Sequence, residues 1–234
     1  MTFRSVLRCS CALLVFLSFL SQHFTAWSAL CFETAGSPCK MVREISEEVL
    51  QILRKSPPSS KPQNQDRLKK VWAVMMPHIN SCEMAMRSLP AAYLPHMTRL
   101  QKEEFTDIYS RLLVQSYSLA LDRYTRSKIF RLIFEEERIE GSRASVRSKL
   151  LTPKTKYVIA YRLHLQRDKW LIYDIGYNGM SQVENYRSQL DRIGKKFGYD
   201  YREVRNRIRK RLKPSLRNLP GPQIKMRFWG VCQK

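Results

Sequence analysis

The stretch Trp170–Leu190, WLIYDIGYNGMSQVENYRSQL, decides how the chain is read. Its first half alternates: Leu171, Tyr173, Ile175 and Tyr177 fall on one face of a strand, and Trp170, Ile172 and Asp174 on the other. Gly176, Asn178 and Gly179 then break the strand, because they reach unusual backbone angles at little cost. Ser181 with Glu184 three places on has the spacing of a capping box. Val183, Tyr186, Leu190 and Ile193 recur at helical spacing. An aromatic-rich strand therefore turns sharply into an amphipathic helix, a joint able to set two apolar faces around one interior.

Working outward, Tyr157, Ile159, Tyr161, Leu163 and Leu165 give the cleanest alternation in the chain. Strands are expected over Lys128–Phe134, Arg143–Leu151, Tyr157–Leu165 and Trp170–Tyr177, joined by short links that suit an antiparallel meander. Glu135-Glu136-Glu137 is read as a solvated turn. Before the strands, helices are expected over Met41–Leu53, Arg67–Met76 and Asn80–Leu89, the last opening on the cap spacing of Asn80 and Glu83. A long one begins near Thr98, with Gln101 as its box partner. Its stripe runs Phe105, Ile108, Tyr109, Leu112, Leu113, Tyr117, Leu121 and Tyr124. After the joint, Asp200 and Glu203 open a last helix whose outer faces are crowded with Arg and Lys. Residues 213–234 are basic, Pro-rich and aperiodic, and read as a tail.

A chain of 234 residues can bury one good-sized core. Its net charge of +22 predicts attraction to anionic partners. Arg4 and Arg8 precede the apolar run Cys9–Leu20, and Ala26-Trp27-Ser28 offers a small-x-small cleavage site. Residues 1–28 are expected to be a secretory signal, since the run is shorter than the about 20 residues of a spanning helix. Cys31 lacks the residues that would precede a lipid-modified cysteine. Cys31, Cys39, Cys82 and Cys232 remain, with three pairings open, in a compartment expected to be oxidising. No metal-ligand spacing accompanies them.

Catalysis finds little support. Ser181 sits where a hydrolase nucleophile would, but residue 183 is Val where the G-x-S-x-G elbow needs Gly. There is no P-loop, and His78, His96 and His164 are scattered. Asp174 with a tyrosine is the one conceivable acid–base pair, as the enzymatic alternative. The Gly176-x-x-Gly179 string follows a strand, whereas an RNA-binding KH loop joins two helices. Nucleic acid is therefore not an expected partner.

The stretch resembles the signature W-x-V-Y-D-x-x-x-x-G-x-S-x-x-x-N-Y-R-x-x-F of the MlaC (toluene-tolerance) family of ABC-transporter auxiliary proteins. Trp170, Tyr173, Asp174, Gly179, Ser181, Asn185, Tyr186 and Arg187 match, and Leu190 stands for the Phe. Met76-Pro77-His78-Ile79-Asn80 is similar to the family's L-P-x-x-D run, and Tyr109, Leu112, Leu113, Tyr117, Leu121 and Tyr124 to its long-helix pattern. The resemblance spans Leu68–Leu212. It implies an α+β fold over 29–212, NTF2-like in outline: a small antiparallel sheet of about four strands packed on several helices around an apolar lipid cavity. It also implies a non-enzymatic periplasmic shuttle, without cofactor, that carries phospholipid or a related lipid such as a hopanoid. The implied partners are an inner-membrane MCE-type ABC complex and an outer-membrane lipoprotein complex.

Such a carrier must hide hydrocarbon. Each CH₂ exposed to water costs about 0.8 kcal/mol, so two chains of roughly 16 carbons demand on the order of 25 kcal/mol of shelter. The lining is expected from the long helix (Ile108, Leu112, Tyr117, Tyr124) and the strands (Tyr157, Ile159, Tyr161, Leu171, Tyr173, Ile175). Which strand face turns inward stays open, because a one-residue shift exchanges the faces.

Overall fold

The computed structural model describes Cys31 and residues 36–55, 61–125, 131–153 and 155–212. The expected signal segment and the tail at 213–234 lie outside the described residues. Helices α1 (Pro38–Lys55), α2 (Lys61–Met75), α3 (Ser81–Ser88) and α4 (Arg99–Thr125) lead into strands β1 (Arg131–Glu140), β2 (Arg143–Leu151), β3 (Lys156–Gln166), β4 (Lys169–Tyr177) and β5 (Met180–Ser181). Helices α5 (Gln182–Phe197) and α6 (Tyr201–Arg211) close the order, and short 3₁₀ turns flank α3. The sheet is an antiparallel meander in sequence order, as short links require. The fold is α+β, with five strands where four were expected. β5 is a two-residue strand made by the Asn178-Gly179 turn folding back on β4.

The acidic run is a correction to the sequence reading. Glu135-Glu136-Glu137 lies within β1, and the turn falls at Gly141-Ser142 instead. A register shift between Phe134 and Glu136 puts Glu137 in the row facing the core. There it is buried, and its Oε1 accepts the Cys39 backbone N–H at 2.8 Å. A carboxylate at a helix N-terminus meets both free N–H groups and the positive end of the helix dipole. Glu135 pairs with Lys149 and Glu136 with Arg147 on the outer face. The run is therefore strand because cations across the sheet and one helix end neutralise it.

The N-terminus of α1 has two further holds. Ser37 Oγ accepts the Lys40 N–H, and Cys31 is disulfide-bonded to Cys39. Cys31 thus pairs with Cys39, one of the bonds the sequence leaves open. Cys82 is likewise disulfide-bonded, and Cys232 lies outside the described residues.

The capping spacings read from the sequence are made. Thr98 and Gln101 form a reciprocal box at α4, with bonds of 3.2 and 2.8 Å. Asn80 caps α3 through Glu83 N and Asp200 caps α6 through Arg202 N. At α5, Ser181 Oγ accepts the Glu184 N–H at 3.1 Å and donates to Asp174 Oδ2 at 2.6 Å, while Asp174 Oδ1 accepts the Val183 N–H at 3.2 Å. Asp174 is 2% exposed and also meets Arg162 at 3.3 Å. The helix behind the joint is thus tied to β4 by one buried carboxylate.

The core runs through α3, α4, α5, α6 and the inner sheet face, with Tyr93, Tyr109, Phe105, Met84 and Leu163 among its most buried side chains. Its phenols find partners, as burial demands. Ser88 Oγ donates to the Tyr109 oxygen at 2.6 Å, Tyr186 shares a 2.8 Å bond with Ser116, and Tyr201 donates to Glu104 at 3.0 Å. Gly194 lets Tyr199 pack close, since a Cβ there would stand 2.3 Å from that ring.

Two expectations follow. Asp174→Ala removes three partners from a buried joint and should lower stability by roughly 3 kcal/mol in urea unfolding, with Asp174→Asn costing less; a loss below 1 kcal/mol would contradict the joint. Burial pushes the Tyr93 phenol up from 10.0 to about 12. The folded state keeps that proton longer than the unfolded chain, so stability is full below pH 10 and falls as pH rises toward 12. Tyr93→Phe should flatten that alkaline decline in pH-dependent thermal melts.

Candidate functional site

β4 carries one residue more than β3 opposite it. Arg162 pairs with Asp174 and Leu163 with Ile172, leaving Tyr173 as a bulge. Strict alternation would put Ile172 and Ile175 on opposite faces; the extra residue turns both inward. Their row continues through Tyr177 beside Ile159 and Ile175 beside Tyr161. Leu132, Leu150 and these five residues form a concave apolar sheet face.

Helix α1 lies across that face. Val42, Ile45, Val49 and Leu53 recur at helical spacing and are buried. Between α1, Met75 at the end of α2 and the sheet is a hollow of about 90 Å³. Its lining is almost wholly hydrocarbon; Ser46, Tyr161 and Tyr177 bring hydroxyls. Burial pushes the Tyr161 phenol above its ordinary range, with the neighbouring Ser148 and Ser46 hydroxyls acting the other way.

The predicted lining residues divide. Ile159, Tyr161 and Ile175 lie together in this hollow. Tyr157 is half-buried in the next rung, beside Leu150. Leu171 and Tyr173 are on the outer face: Leu171 is opposite His164, and the Tyr173 ring is stacked by Arg87 at 4.7 Å and Arg143 at 5.5 Å. The bulge is the reason, because it reverses the alternation midway along β4. Ile108 and Leu112 of α4 do not line the hollow either. Ile108 faces α6 beside Leu212, and Leu112 lies near Tyr109, Tyr186 and Ile208. Tyr117 and Tyr124 belong to α4, but their side chains lie outside the described residues.

The hollow was expected under the long helix, and it lies under α1. The stripe of α4 is already covered by α3, α5 and α6, so the sheet's free apolar face is left to α1. Sequence reading missed Val42, Ile45, Val49 and Ile172. The helical spacing of the first three was legible; which surface they faced was not. A larger recess of about 430 Å³ beside α4 and α6 is lined by Asp107, Arg111, Arg209 and Lys210, with Arg111 paired to Asp107 at 3.0 Å. Its charged walls are unsuited to hydrocarbon. Asp174 faces Arg162 and the start of α5 and does not line the hollow.

Among the described residues no helix is long and apolar enough to cross a membrane, and no group of His, Cys, Asp or Glu has metal-binding geometry. No curated protein matches the chain in sequence. A solved structure of a phospholipid-binding protein from Ralstonia solanacearum, in complex with a phospholipid, is similar in fold. It has 18% identity and a TM-score of 0.62, and the match covers 74% of this chain and 94% of that one. The model of the MlaC protein family matches residues 43–207, which include the Trp170–Arg187 signature, α1 from its second turn and the whole sheet. The chain belongs to the MlaC protein family.

Proposed function

We propose that this chain is a periplasmic carrier that takes up a phospholipid, or a related lipid such as a hopanoid, by its hydrocarbon tails. The observation that supports it is the apolar hollow between α1 and the sheet, in a family member whose fold matches a phospholipid-bound protein. At about 90 Å³ the hollow is smaller than the roughly 300–1,000 Å³ of ordinary ligand pockets. Loading therefore requires α1 to move off the sheet.

The energetics permit it. Fully exposing Val42, Ile45, Val49 and Leu53 would cost about 1.5–3 kcal/mol each, roughly 6–12 kcal/mol together. Leaving two tails in water instead would cost on the order of 25 kcal/mol, so once a lipid has left its bilayer the opened, loaded state is favoured over a closed protein with the tails exposed. The packing favours motion of α1 with α2: Ile45, Val49, Leu53 and Val71 form a cluster separate from the main core. The disulfide and Glu137 hold only the first turn. In this reading α1 swings about its N-terminus, and tails replace it as the cover of the sheet.

A carrier that exchanges lipid near equilibrium needs direction from elsewhere. In this reading an inner-membrane MCE-type ABC complex supplies it, and an outer-membrane lipoprotein complex is the other docking partner. The secretory signal expected over residues 1–28 and the disulfides accord with a periplasmic site.

Native mass spectrometry after incubation with phospholipid vesicles tests the reading. Wild-type protein should acquire lipid, and Ile159→Trp, which fills the hollow, should lose most of it while melting as before. Leu100→Trp, at a site 74% exposed, should load normally. Wild-type protein that never acquires lipid would sink the proposal. Hydrogen exchange checks the motion: α1 amides beyond the first turn should exchange faster in loaded protein, where tails hold the helix off the sheet, than in empty protein, with mid-α4 amides unchanged. Equal α1 exchange in both states would place the tails elsewhere.

A further inference from the structure

We infer that Cys82 is bonded to Cys232, so that residues 213–231 are a covalent strap returning from the end of α6 to α3. The inference stands apart from the carrier reading. It rests on the bonded state of Cys82 and on the expected removal of residues 1–28.

Cys82 is buried in the first turn of α3 and is disulfide-bonded. The chain has six cysteines. Cys31 and Cys39 are bonded to each other, which leaves Cys9, Cys11 and Cys232 as candidates for Cys82. Cys9 and Cys11 belong to the apolar run of the expected signal and depart with it. In the processed chain the remaining sulfur is that of Cys232. Two bonds then use all four cysteines, as an oxidising compartment favours.

The chain can close that distance. α3 and α6 flank the same stretch of α4. Ser88, at the far end of α3 from Cys82, donates to the Tyr109 oxygen at 2.6 Å. Leu212, just past α6, lies beside Ile108 and Arg111. From Ser88 back to Cys82 the helix runs about 9 Å, and packed helices stand about 8–10 Å apart. Leu212 and Cys82 are therefore within roughly 30 Å of each other. Residues 213–232 reach roughly 65 Å when extended, so the strap closes without stretching.

The residues before Cys232 suit an anchored segment. Ile224, Met226, Phe228, Trp229 and Val231 precede it closely, and a free tail would expose them together. The bond forms by exchange with a disulfide oxidant. One protein thiolate displaces half of the oxidant's disulfide, and the second protein thiolate then displaces the other half. Two protein thiols become one S–S bond, the oxidant becomes two thiols, and the two protons pass to them. The bond spans about 150 residues of sequence, and a loop of that length strongly restricts the unfolded chain.

The test is peptide mapping of the full chain, exported on its own N-terminus and purified without reductant. Free thiols are blocked with iodoacetamide in denaturant before tryptic digestion. Mass spectrometry of the monomer band from a non-reducing gel should find peptide Val71–Arg87 joined to Phe228–Lys234, and reductant should part them. A blocked Cys82, or Cys82 joined to Cys9, Cys11 or a second chain, would overturn the strap. Thermal melts give an independent check. Cys232→Ser should lower the melting temperature by about 5–15 °C. The double variant C82S/C232S should melt no lower than C82S, because both changes remove one bond. Additive losses, or an unchanged melt in Cys232→Ser, would likewise overturn the strap. Lipid loading is read separately, so each of these failures leaves the carrier reading intact.

Discussion

One extra residue in β4 governs the architecture. With Tyr173 pushed out of register, Ile172 and Ile175 both face the hollow while Asp174 faces the start of α5. Without the bulge, strict alternation would place Ile172 and Asp174 on the same face, and one of them would be misplaced. A buried carboxylate facing hydrocarbon would cost several kcal/mol. In the bulged register the same carboxylate accepts from Ser181 and Val183 and meets Arg162. The strand-to-helix joint and the apolar sheet face are thus two results of a single irregularity. The displaced Tyr173 ring is used as well, between Arg87 and Arg143.

The sheet then has a problem that the helices solve unequally. α3, α4, α5 and α6 pack on one another and on part of the inner face, with phenols satisfied by Ser88, Ser116 and Glu104. α1 covers the rest, held firmly at its first turn and joined beyond it to α2 through a small separate cluster. Beyond the first turn α1 also meets the sheet through Arg43 over the Phe134 ring and through Val42, Ile45 and Val49. The hollow is small because α1 fills most of the space over that part of the sheet.

Charge is distributed with the same logic. Many cations on the sheet and helices are neutralised in place, as Lys149 is by Glu135 and Arg209 by Glu104. The strongly positive remainder of the chain governs long-range attraction to anionic surfaces. What it does locally depends on which cations the fold leaves without partners, and where.

The sequence by itself determined the local features. Helical spacing placed α1 and α4, alternation placed β2, β3 and β4, and the Thr98, Asn80 and Asp200 caps were legible because each is a contact within three residues. The Trp170–Arg187 signature also carried the family. Tertiary structure alone decided the rest. Glu135-Glu136-Glu137 reads as a turn until Lys149, Arg147 and the Cys39 N–H, distant in sequence, are seen to satisfy it. The Tyr173 bulge leaves no trace in periodicity, because one inserted residue looks like continued strand. An amphipathic stripe shows that a helix buries a face and not what it buries that face against. For that reason the sequence pointed to α4 above the hollow, and packing assigned α1.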